Sequence, residues 1–69
     1  MLRVGDVVLH QKTGQSGIVI GYGHQILDGV YLPTLIVQLT EKGQSQKRFV
    51  EDLSSEWMLL EREQYSRIA

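Results

Sequence analysis

His10 and His24 are the only two histidines of the chain, and there is no cysteine beside them. A zinc site built on them would need carboxylates at defined positions to complete its ligand set. Asp6 precedes His10 by four residues. On a strand that spacing puts both on one face, but about 13 Å apart. It does not make a metal site, and His10 reads as a half-buried strand residue whose ring packs while one nitrogen meets water. Nucleophilic catalysis has no better support. Ser16, Ser45, Ser54, Ser55 and Ser66 fall in turns or at strand ends, with no glycine-rich elbow around any of them. Glu51 and Asp52 are adjacent, and adjacent residues of a strand or turn point apart. A cleft deep enough to shift their pKa values is hard to build in so small a domain. "GQSG", residues 14–17, is followed by no lysine and is not a phosphate loop. These residue types point to a protein that is not an enzyme and carries neither cofactor nor metal.

What remains is binding chemistry. Lys42, Lys47 and Arg48 cluster in one segment, with Lys12 as a further candidate for a phosphate contact. Glu41, Glu51 and Asp52 flank them, so a solvated face of mixed sign competes with a nucleic-acid footprint. Single-strand binders also add aromatic platforms among more basic residues than this. The aromatic residues Tyr22, Tyr31 and Trp57 are placed near strand ends, while Phe49 reads as core. Near strand ends such rings serve either as structural lids or as anchors of a protein-docking patch, where Trp, Tyr and Arg dominate. The stretch "QILDGVYLP", residues 25–33, is unusually apolar for a solvated loop and favours docking, through Ile26, Leu27, Val30, Tyr31 and Leu32 with Tyr22 and Trp57 as anchors.

The elements that must present these residues are short strands. In "GIVIGYG", Ile18, Ile20 and Tyr22 alternate with Val19, Gly21 and Gly23. Leu35, Val37 and Leu39 alternate with Thr34, Ile36 and Gln38. The period is two, and no helical stripe is present. Gly5-Asp6 forms a turn into the first strand, with Asp6 free to accept from nearby amides. Gly14 and Gly17 give backbone freedom to the turn between strand one, about Val7 to Gln11, and strand two. Asp28-Gly29 is a two-residue hairpin signal, which makes residues 18–40 one long hairpin. Pro33 belongs at an edge or bulge of that hairpin, and Gly21 with Gly23 permits a sharp bend opposite it. Lys42-Gly43 turns the chain into strand four at about Ser45 to Val50. "VEDLSS" reads as a 3₁₀ turn, and Trp57 to Glu61 is the last strand. Val8 and Ile18 or Val19 are core.

Sixty-nine residues with net charge −1 make one domain, here residues 1–62 with a polar tail at 63–69. A domain this small is marginal in stability, and without cysteine no disulfide or thiolate zinc site supports it. The balanced charge argues against strong general affinity for nucleic acid. No apolar run approaches the ~20 residues of a membrane span, and the first residues lack the apolar core of a signal peptide. The expected location is the cytoplasm.

Gly5-Asp6, Val8, His10, Gly14, Gly17 and Val19 resemble the opening of several SH3-like barrels. The nearest likeness is to the RNA-polymerase-interacting domain of CarD-type regulators and transcription-repair coupling factors. The Tudor-like C-terminal domain of UvrD/PcrA-type helicases is similar. Leu35, Val37, Leu39, Gly43, Lys47-Arg48 and Leu53 continue the likeness, which spans about residues 3–61. The turn before Ile18 is one residue longer than in those families, and His24 to Pro33 is longer than their connection. KOW motifs and small SH3-like subunits of photosynthetic electron-transfer complexes share the same opening.

The resulting expectation is an all-β, five-stranded SH3-like barrel with a long kinked hairpin, acting as a protein-interaction module. The resemblance implies RNA polymerase or DNA-repair machinery as partner, and a homodimer is a further outcome. A weak RNA- or DNA-binding barrel using Lys12, Lys42, Lys47 and Arg48, or an accessory subunit of an electron-transfer complex, are the alternatives.

Overall fold

Asp28 and Gly29 both take positive φ, 51° and 77°, which is the backbone of the tight hairpin turn that Asp-Gly favours. Around this turn, in a computed structural model describing residues 1–40 and 46–62, two long strands pair antiparallel. They are β2 (Ser16–Leu27) and β3 (Val30–Leu39), in register from Leu27↔Val30 to Gly17↔Leu39. The expected long hairpin is there. The Lys42-Gly43 turn and the tail at 63–69 lie outside the described residues.

Three shorter strands complete an antiparallel sheet: β1 (Val7–His10), β4 (Phe49–Leu53) and β5 (Trp57–Glu61). The order is β4-β3-β2-β1-β5, so β4 and β5 are its edges. A 3₁₀ turn over Ser54–Glu56 leads directly from one edge to the other. The all-β expectation is met. The ladder that would close β4 onto β5 as a barrel is not found among the described residues.

Strand four starts later than the sequence suggested. The residues expected to form the turn, Glu51 to Leu53, are in the strand, and the turn follows at Ser54. Pairing with β3 decides this: Thr34↔Leu53 through Gln38↔Phe49 match the two strands residue for residue. The same register corrects Phe49. It sits opposite Gln38 on the outer face and is 54% exposed, while its neighbour Val50, opposite Val37, packs on the core.

The core is Val8, Val19, Leu35, Val37, Leu39 and Trp57. Of the two expected alternatives on β2, Val19 is core and Ile18 faces outward. Gly17 is needed for a different reason from the one its turn position suggested. It lies within β2, where an added Cβ would collide with the backbone oxygen of Gln38 and stand 2.8 Å from Val37 Cγ1. Gly14, at φ +77°, does supply the turn.

The expected bend is a β-bulge. The register runs Val19↔Val37 and then Gly21↔Ile36, leaving Ile20 as the extra residue. A bulge shifts the parity of everything beyond it. Tyr22, grouped by simple alternation with Ile18 and Ile20, therefore pairs with Leu35 on the core side. Beyond the core, β4 accompanies β3 only over Thr34–Gln38. At Pro33 the strand is an edge, as a proline in a ladder requires. From there the β2–β3 hairpin continues as a two-stranded arm.

Candidate functional site

His10 and Asp6, the first candidates for chemistry, are both held by neighbours. His10 is buried, and its Nδ1 accepts from the backbone amides of Lys12 (3.1 Å) and Thr13 (3.2 Å). A ring nitrogen that accepts two N–H groups carries no proton, so Nε2 bears it and donates to Asp52 Oδ2 at 2.7 Å. That bond, with a second from the Leu53 amide, lowers the Asp52 pKa. Neither imidazole nitrogen faces water, contrary to expectation, and neither is left for a substrate or a metal. The ring also stands edge-on to Trp57, 4.8 Å between centroids.

Asp6 takes no part with His10. It accepts from Arg3 N, as its turn position predicted, and from Arg62, whose Nε and Nη2 meet its two carboxylate oxygens at 3.0 and 2.8 Å. The Arg62 guanidinium holds the Asp6 carboxyl at a pKa of about 2, against burial that pushes the other way. Arg62 Nη2 also reaches Met1 O at 2.9 Å. Sequence reasoning did not single out this clasp. Among the described residues, no three His, Asp or Glu side chains gather as a metal set.

The basic residues are only partly placed. Lys12 Nζ pairs with Glu56 at 3.5 Å. Lys47 and Arg48 are exposed just before β4. Lys42 lies outside the described residues.

The apolar candidates converge better. Tyr22, His24 and Ile26 on β2 stand opposite Leu35, Pro33 and Tyr31 on β3, forming one face of the arm that continues the core face of the sheet. His24 stacks flat on Tyr31 at 5.1 Å. The other face pairs Gln25 with Leu32 and Leu27 with Val30. Ile26, Leu27, Val30 and Tyr31 are 57%, 51%, 55% and 67% exposed, so both faces of the tip present apolar surface. Leu32 is half-buried. Residues 13–40 carry a single charged side chain, Asp28.

At the base of the arm this face opens into a cleft of about 460 Å³. Its walls include Leu2, Tyr22, Pro33, Leu35, Ser55 and Trp57. Tyr22 fixes one side: its hydroxyl accepts from Val4 N at 3.1 Å and donates to Leu2 O at 3.4 Å. Trp57 is a wall rather than a projecting anchor, because its pairing with His10 turns it inward to 4% exposure. Its indole N–H is buried without a hydrogen-bond partner among the described residues. The cleft was not read from the sequence, since Gly21 and Gly23 signal a bend but not the change of face that brings Tyr22 to it. The scarcity of charge between residues 13 and 40 was the available signal. Comparison with protein-family models, curated proteins and solved structures finds no match to this chain.

Proposed function

We propose that the chain is a non-enzymatic protein-interaction module, an SH3-like barrel that docks through its β2–β3 arm. One observation carries the reading: four large apolar side chains at the arm tip are more than half exposed, on both faces of the hairpin. An exposed apolar patch rimmed by polar residues marks an interaction surface. A hairpin reaching past its sheet gains little stability by itself, so its apolar faces are accounted for by a partner that covers them. The near absence of charge favours an apolar protein surface over a phosphate backbone. Lys12, one of the rival nucleic-acid contacts, is engaged by Glu56. The resemblance to CarD-type and UvrD/PcrA-type domains makes RNA polymerase and DNA-repair complexes the first partners to test.

The test is capture by the wild-type chain and by a Leu27→Ser, Tyr31→Ser double variant, in nuclease-treated samples. The expected result is a folded variant that no longer retains the partner. Capture that disappears with nuclease in the wild type overturns the reading in favour of nucleic acid.

A further inference from the structure

We propose that the arm's partner is a second copy of this chain, each tip seated in the cleft at the base of the other arm. This rests on the reading of the arm as a docking element and names what it docks to. The basis is a single continuous face. From the base outward it runs through the pairs Tyr22↔Leu35, His24↔Pro33 and Ile26↔Tyr31. Its inner end is an apolar hollow and its outer end an apolar projection. Four residues of strand, about 13 Å, separate Tyr22 from Ile26. A two-fold axis through the middle pair, His24 and Pro33, lays each projection over the other copy's hollow. Such an interface is isologous and closes at two copies, leaving no free end for a filament.

Charge permits this arrangement. Among the described residues no charged side chain lines the cleft, and Asp28, in the turn, lies beyond the face that pairs. A symmetric contact brings like surfaces together, so a charge on this face would oppose it. The hollow has the size of a site for a bulky apolar group. Tyr31 also brings a hydroxyl, a hydrogen-bond acceptor, to a cleft walled by Trp57, whose N–H is buried and has no hydrogen-bond partner among the described residues.

Sedimentation velocity on the full chain over roughly 10 μM to 1 mM tests the inference. The expected result is a reversible rise from the monomer mass of 7.9 kDa toward twice that value. Ile26→Arg and Pro33→Asp should each abolish the rise. If Pro33→Asp does not fold, NOEs between Tyr31 and Trp57 in a mixed-label sample decide instead: their presence supports the dimer and their absence at high concentration rejects it. A wild-type chain monomeric throughout, or a dimer indifferent to Ile26→Arg, overturns the inference. Failure of the arm reading looks different. A monomer that loses a heterologous partner on Leu27→Ser, Tyr31→Ser substitution rejects the dimer and keeps the arm; a Leu27→Ser, Tyr31→Ser variant that unfolds rejects both.

Discussion

His10 on β1 and Asp52 on β4 meet at 2.7 Å although their strands lie three places apart in the sheet order. In a flat sheet three strand spacings amount to about 14 Å. The sheet must therefore curl about its inner face until β1 and β4 look at each other across the core. The bond ties the two halves of the curl where apolar packing is thin, since among the described residues only six apolar side chains are buried.

Replacing Asp52 with Asn should lower stability by roughly 1 kcal/mol, at the weak end for a bond to a charged group because the carboxylate is 40% exposed. Nitrogen-15 NMR of the wild type should show His10 protonated at Nε2 and bare at Nδ1. The opposite tautomer would contradict the assignment of both hydrogen bonds.

Acid should open the Asp6–Arg62 clasp. Asp6 has a pKa of about 2 in the folded chain against an ordinary value of 3.8. A carboxyl with a lowered folded pKa contributes stability that is complete above its unfolded value and is lost as pH falls through the folded one. Urea unfolding should therefore show the wild type losing stability between about pH 4 and pH 2. The gap between wild type and Arg62→Gln should be widest above pH 4 and shrink toward pH 2. A gap that stays constant over that range would remove the ion pair from the explanation.

Glycine substitutions separate packing from turn conformation. A Cβ at Gly17 meets the Gln38 backbone, which cannot step aside, so Gly17→Ala should cost about 3 kcal/mol, as severe overpacking does. A Cβ at Gly23 collides with the Glu51 carboxylate and stands 2.8 Å from Thr34 Oγ1, which donates to that carboxylate. That obstacle is the end of a flexible side chain, so Gly23→Ala should cost about 1 kcal/mol, and Glu51→Ala should relieve most of it. Gly29 has open space around it but φ +77°, and Gly29→Val should cost about 1 kcal/mol or more through backbone strain. Thermal unfolding of the four variants checks the order.

The parts of this fold legible in the sequence are those decided locally. Asp28-Gly29 announces its turn because few residue pairs accept two positive φ angles, and the alternation of Leu35, Val37 and Leu39 follows from the pleat. The parts that were not legible are decided by partners far along the chain. Where β4 begins depends on β3, so Phe49 was misplaced inward by one step of register. The bulge at Ile20 moved Tyr22 to the other face. Arg62 reads as an ordinary polar residue until the fold carries it to Asp6. Within the candidate site, the exposed apolar tip followed from composition, whereas the cleft needed Leu2, Tyr22 and Trp57 to be gathered from three separate segments.

The arm should be separable from the fold. Leu27 and Tyr31 lie beyond the strand pairs that carry the core, and both are more than half exposed. Changing both to Ser removes apolar surface that the isolated chain leaves largely in water, so stability should move by no more than about 1 kcal/mol. Val37→Ala, which leaves a void at a fully buried position, should cost about 2 kcal/mol or more. Urea denaturation of both variants beside the wild type gives the comparison. Because the arm has one charge, whatever association it mediates should also change little between low and high salt, unlike contacts to phosphate, which weaken steeply. An arm variant as damaged as Val37→Ala would make the tip part of the core. An association lost on adding salt would place the contact on the basic residues instead.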